Sequence, residues 1–145
     1  STPDCMEEVA GKLKYYHPAN IVVDPVMYAK NGCPLMEPAA IETLIGTVIP
    51  IADVLTPNIP EAEKITGGMI RSLADMEEAA KAIYTMGCRA VVVKGGHVAG
   101  NAVDVLFDGK EICHFDTASR KPMPLASCEA TAEENVQPVP CVFFV

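Results

Sequence analysis

Ala90-Val91-Val92-Val93-Lys94-Gly95-Gly96 is the stretch that decides the fold. Three successive valines favour extended backbone. The run is apolar without alternation, which reads as a strand covered on both faces. It ends on a cation and two glycines, so a strand is followed by a turn free to approach a ligand. Upstream stands a helical pattern: Ser72 as N-cap with Asp75 three residues on, then Leu73, Met76, Ala80, Ile83 and Met86 as the expected buried stripe. Gly87 suits its left-handed C-terminal position.

The same order of apolar run, polar turn and helix occurs twice more towards the N-terminus. Ile51-Ala52-Asp53-Val54-Leu55-Thr56 leads into Pro57-Asn58-Ile59-Pro60 and a short helix from Glu61 to Thr66, closed by Gly67-Gly68. Ile21-Val22-Val23-Asp24-Pro25-Val26 leads through Lys30-Asn31-Gly32 to a helix opening at Glu37-Pro38, with Ile41, Leu44, Ile45 and Val48 at helical spacing. Before these, Thr2-Pro3 is a helix start, and Met6, Val9, Leu13 and Tyr16 form one face that stops at His17-Pro18. Strands regularly separated by helices predict an α/β fold with a parallel sheet. Downstream the pattern changes. Ala102-Val103-Asp104-Val105-Leu106-Phe107 and Glu111-Ile112-Cys113-His114-Phe115 flank Asp108-Gly109, which predicts an antiparallel hairpin with a two- to three-residue turn extending one sheet edge.

Composition sets the class. The 145 residues are half apolar and 21% charged, so one ordinary domain with a real core is expected. Eleven basic against nineteen acidic residues give a net charge of −8, the wrong sign for a nucleic-acid surface. No apolar run reaches the ~20 residues of a spanning helix, so neither a membrane nor nucleic acid is an expected partner, and the expected location is cytoplasmic. Six cysteines, none closer than thirteen residues to the next, predict reduced and mostly buried thiols. A zinc site built from these and the three histidines has no supporting spacing.

In open parallel sheets ligands bind beyond the carboxyl ends of the strands. Those ends carry Asp24, then Asn58 with Glu61, then Lys94 with Gly95 and Gly96, at intervals of 34 and 36 residues. Two carboxylates, an amide, an ammonium and a glycine turn on one rim suit a metal-bridged polyphosphate. Each has an ordinary reading as well. Asp24 before Pro25 is a turn residue, Asn58 and Glu61 are a helix cap and a first-turn acid, and Lys94 is a solvated strand end. Gly95-Gly96-His97-Val98-Ala99-Gly100 is followed by Asn101-Ala102, where a P-loop requires Lys and Ser or Thr.

The rim motifs in their contexts resemble the phosphomethylpyrimidine kinases of the ribokinase-like superfamily. The resemblance runs through Val22-Val23-Asp24-Pro25-Val26-Met27, Ala29-Lys30-Asn31-Gly32, Leu55-Thr56-Pro57-Asn58-Ile59-Pro60-Glu61-Ala62-Glu63, Val92-Val93-Lys94-Gly95-Gly96-His97 and Val103 to Gly109. It covers residues 1–117 and implies a truncated three-layer α/β/α fold, with a mostly parallel sheet and an antiparallel edge hairpin. It further implies ATP-dependent phosphorylation of hydroxymethylpyrimidine and its phosphate in thiamine biosynthesis, with ATP and Mg²⁺ as cofactors. Asp24 and Glu61 would help hold the metal, largely through water. Asn58, Lys94, Gly95 and Gly96 would serve the nucleotide, and Val26 and Met27 would lie by the pyrimidine. Alternative readings are a pyridoxal kinase and a non-catalytic nucleotide-binding or structural remnant.

The departures from the family are specific. The family's G-T-G-[CD] turn, which carries its anion hole and presumed general base, has no counterpart in Ser119-Arg120-Lys121-Pro122-Met123-Pro124. Cys33 stands where the family usually has Asp. The chain alone is therefore expected to lack kinase competence. Residues 118–145, with four prolines and no helical stripe, are expected to be an irregular tail. A sheet edge that the family's N-terminal half would cover is expected to be left uncovered, inviting self-association into homo-oligomers.

Overall fold

The computed structural model describes residues 2–29, 31–96, 103–116 and 141–144. In chain order it comprises α1 (Pro3–Tyr16), β1 (Ile21–Asp24), α2 (Pro38–Thr43), β2 (Val54–Leu55), α3 (Ile59–Thr66), α4 (Leu73–Tyr84), β3 (Ala90–Val93), β4 (Val103–Phe107), β5 (Ile112–Asp116) and β6 (Cys141–Phe144). The strands form one six-stranded sheet in the order β5-β4-β3-β2-β1-β6. β6, β1, β2 and β3 run parallel, while β4 and β5 are antiparallel to their neighbours. The expected α/β sheet with an edge hairpin is what forms. The hairpin turn is four residues long: Phe107 pairs with Ile112, and Asp108 Oδ1 accepts the N–H groups of Lys110 and Glu111.

Register explains the core. Val23, Leu55 and Val91 lie side by side across β1, β2 and β3, and all three are fully buried. The alternating row of Val22, Val54 and Ala90 is only partly buried. One face of the sheet is thus closed, and the other is partly open, where the uniform apolarity of the runs predicted cover on both. Asp24 and Lys94 follow the partly open row, which leaves their charged ends reachable by water.

Several local expectations change for physical reasons. The helix from Pro38 does not run on to Val48. It widens into a π-helical turn over Leu44–Val48 and tightens into a 3₁₀ turn over Ile49–Ile51. Pro50 has no N–H to give the carbonyl of Gly46, and the Thr47 hydroxyl donates to the Thr43 carbonyl at 2.6 Å, so regular α-bonding fails there. Ile51 is spent in that turn, and β2 shrinks to Val54–Leu55. Leu73 and Tyr16, assigned to buried stripes, are 39% and 70% exposed. α1 ends on His17, a left-handed residue with φ 47° whose N–H reaches the Leu13 carbonyl. Cys88 is buried, while Cys5, Cys33 and Cys113 are exposed, against the expectation of mostly buried thiols.

Most of the tail expected to be irregular lies outside the described residues. Its Cys141–Phe144 segment instead forms β6, in register with Ile21–Asp24. An apolar segment beside a bare strand gains a full ladder of backbone bonds, and this outweighs the local absence of pattern. The edge of β1 is therefore occupied, and β6 takes its place as the outermost strand on that side. Among the described residues no helix is long and apolar enough to cross a membrane.

Candidate functional site

The rim is built by short-range chemistry at three strand ends. β1 ends at Asp24, whose carbonyl accepts the N–H of Val26 at 3.0 Å and turns the chain sharply at Pro25. After β2, Asn58 caps α3: its Oδ1 accepts the N–H of Glu61 at 2.9 Å, and Glu61 Oε2 accepts the N–H of Asn58 at 2.8 Å. This reciprocal box satisfies two otherwise orphaned donors of the helix start. β3 ends at Lys94, which forms an isolated parallel bridge with Asn58 and gives its N–H to the Pro57 carbonyl at 2.8 Å.

These ends converge. Lys94 Nζ lies 2.8 Å from Asp24 Oδ1, a contact closed across 70 residues of sequence. The pair is partly exposed, with 40% of the lysine side chain and 21% of the aspartate side chain open to solvent. Glu61 stands beside it and is 3% exposed, the only charged or polar residue buried among the described ones. Its second oxygen, Oε1, accepts the N–H of Met27 at 3.4 Å. Burial raises the Glu61 pKa above its ordinary value. Bonds from the Asn58 and Met27 amides and the charge of Lys94 oppose the rise, and the charge of Asp24 adds to it. Asp24, Asn58, Glu61 and Lys94 therefore form one electrostatic unit, as their strand-end placement predicted.

The remaining sequence candidates fall around this unit. Gly95 is buried, and a Cβ there would collide with the Val103 carbonyl oxygen, so the chain can pass only as glycine. Gly96 adopts φ 52°, in the left-handed region. Met27 is buried, and beyond it a cavity of about 470 Å³ is lined by Met27, Tyr28, Leu35, Met36, Ile41 and Lys64 among others. Val26 stands between Asp24 and Met27, joined to the rim through its bond to Asp24. His97 and the region read against the G-T-G turn lie outside the described residues. Asp104, given no role from sequence, accepts the Gly95 N–H at 3.0 Å. The only signal for it was a carboxylate near the start of an apolar strand.

Comparison with known proteins agrees with this architecture. The family model for phosphomethylpyrimidine kinase matches residues 1–122. The hydroxymethylpyrimidine/phosphomethylpyrimidine kinase of Aquifex aeolicus is 45% identical over 96 residues, 66% of this chain and 38% of that protein. The crystal structure of phosphomethylpyrimidine kinase from Clostridium difficile superposes with a TM-score of 0.74 at 43% identity, over 79% of this chain and 50% of that one. An ADP complex of Bacillus subtilis pyridoxal kinase gives 0.71 at 34% identity, over 80% of this chain and 43% of that one. The chain thus spans half or less of the length of these relatives. With the family model matching residues 1–122 and a solved member superposing over 79% of the chain at 43% identity, the chain belongs to the phosphomethylpyrimidine kinase family.

Proposed function

We propose that this chain supplies the phosphate-facing rim of an ATP-dependent kinase acting on hydroxymethylpyrimidine and its phosphate. The observation that carries the reading is the Lys94–Asp24 contact at 2.8 Å beside the buried Glu61 and its cap. It gathers a cation and two acids from separate parts of the chain, Asp24 and Lys94 on the partly open face and Glu61 buried beside them. Lys94, held by Asp24, is an ammonium whose partner phosphate oxygens can replace. Gly95 and Gly96 let the main chain come close to the same phosphates. Met27 and Val26 stand on the acceptor side, tied to the rim through Glu61 and Asp24. The higher identity to hydroxymethylpyrimidine kinases than to pyridoxal kinase supports the pyrimidine as acceptor.

The donor set fits Mg²⁺ in one manner. Among the described residues no group of three metal-ligating side chains is gathered. Both Glu61 oxygens accept backbone N–H groups, and Asp24 Oδ1 accepts from Lys94. A direct protein cage is absent from this arrangement, but two carboxylates suit a hydrated Mg²⁺ carried in on phosphate, the usual habit of this ion. Asp24 and Glu61 would hold it. When bound it would neutralise the phosphates of ATP, while the chain's own groups bind and orient them.

Calorimetric titration of the full chain with Mg·ATP tests the reading. The parent chain is expected to bind, and Lys94→Met and Asp24→Ala each to weaken binding at least about tenfold, as for loss of a charge-assisted contact. Equal affinity in all three proteins would overturn it.

A further inference from the structure

We propose that Asp104 is the positioning residue that fixes the Gly95–Gly96 turn and, through it, the direction in which Lys94 meets phosphate. The inference rests on the nucleotide-rim reading of Lys94. Its basis is how the ladder between β3 and β4 ends. Val93 still pairs with Val105 in the regular antiparallel manner. At Lys94 the backbone turns to the other neighbour, giving its N–H to the Pro57 carbonyl. One residue on, the Gly95 N–H is received by a side chain, Asp104 Oδ1, at 3.0 Å.

Lys94 is therefore gripped from both sides, by Pro57 on its own amide and by Asp104 on the next. Gly95 has little freedom to find another acceptor. It is buried, and the Val103 carbonyl crowds its α-carbon so closely that no side chain fits. A buried N–H left without an acceptor is costly, so loss of the carboxylate should swing the peptide and displace the turn.

A free negative charge close to a phosphate-binding lysine repels the ligand, and its removal should tighten binding. A carboxylate committed to a main-chain amide does the opposite: its removal should loosen binding. The sign of the effect therefore separates the two roles.

The test uses the full chain with Asp104→Ala and Asp104→Asn, the latter keeping an oxygen acceptor at lower charge and guarding against a simple folding failure. In ¹⁵N-labelled protein the Gly95 amide resonance should move and its exchange with solvent quicken in Asp104→Ala, and stay close to the parent in Asp104→Asn. Mg·ATP affinity measured by calorimetry should fall about tenfold in Asp104→Ala and stay within about threefold in Asp104→Asn, the scale of one charge-assisted hydrogen bond. Affinity unchanged or increased in Asp104→Ala, with the parent binding normally, overturns the role of Asp104 alone. A parent chain that fails to bind Mg·ATP at millimolar concentration overturns the rim reading and this inference with it.

Discussion

Replacing Glu61 by alanine is the sharpest perturbation of the rim. The carboxylate accepts the Asn58 N–H at 2.8 Å and the Met27 N–H at 3.4 Å, so alanine strands two backbone donors beside a buried position. A stranded donor costs about 1–3 kcal/mol, the upper part for the short bond and the lower for the long one. Burial opposes ionisation of this carboxylate, so its removal offsets part of that loss. The expected net loss is about 2–3 kcal/mol, a large part of the 5–15 kcal/mol that usually holds a domain together. Urea unfolding followed by circular dichroism measures it, and a loss below about 0.5 kcal/mol would refute the reasoning.

Glu61→Gln adds a pH signature. The folded pKa of Glu61 is raised from 4.5, so ionising it is harder in the folded chain than in the unfolded one. That difference favours folding fully below the unfolded value and is lost as pH rises through the folded one. The stability of the parent relative to Glu61→Gln should therefore be greatest below pH 4.5 and shrink as pH climbs from there. A difference flat across that range would contradict the assignment.

Other expectations are simpler. Gly95→Ala sets a Cβ against the Val103 carbonyl and should lower stability by about 2–4 kcal/mol in urea unfolding, as backbone clashes do. His17→Gly relieves a left-handed helix cap and should raise stability by up to about 1 kcal/mol, seen as a higher Tm. Leu55→Ala, in the central β2 and fully buried, should cost about 2–5 kcal/mol by the same unfolding assay. Burial pushes the Cys88 thiol up to about 11, so brief iodoacetamide treatment at pH 8 should modify exposed Cys5, Cys33 and Cys113 and spare Cys88, as read by peptide mass spectrometry.

The sequence made the strand ends legible because each carries two local signals, an apolar run and a turn. Asp24, Asn58, Glu61 and Lys94 could be assigned to one rim from parallel connectivity alone, and they do meet there. The ordinary reading of Asn58 and Glu61 as a helix cap is correct as well: the same atoms close the box and border the charged pair. What escaped was decided by distant partners. Leu73 obeys helical spacing yet stays exposed, because α4 turns other residues to β3 and β4. The π turn depends on Pro50 and Thr47 acting together, and β6 depends on an edge that only the assembled sheet presents. Asp104 matters through one bond to a glycine across the end of a ladder, and no spacing rule records it.

The pairing of β6 with β1 also bears on how the molecule comes into being. Ile21 and its partner Cys141 are separated by nearly the whole chain, whereas β1, β2 and β3 are joined by short crossovers. During synthesis the earlier strands can assemble while residues 141–144 are still inside the ribosome. For that interval the ladder that β6 makes with β1 is still unformed. Closure at so great a loop length comes late and slowly. Holding the nascent chain at successive lengths and probing it with protease would locate this period, which ends when the ladder of β1 and β6 zips shut.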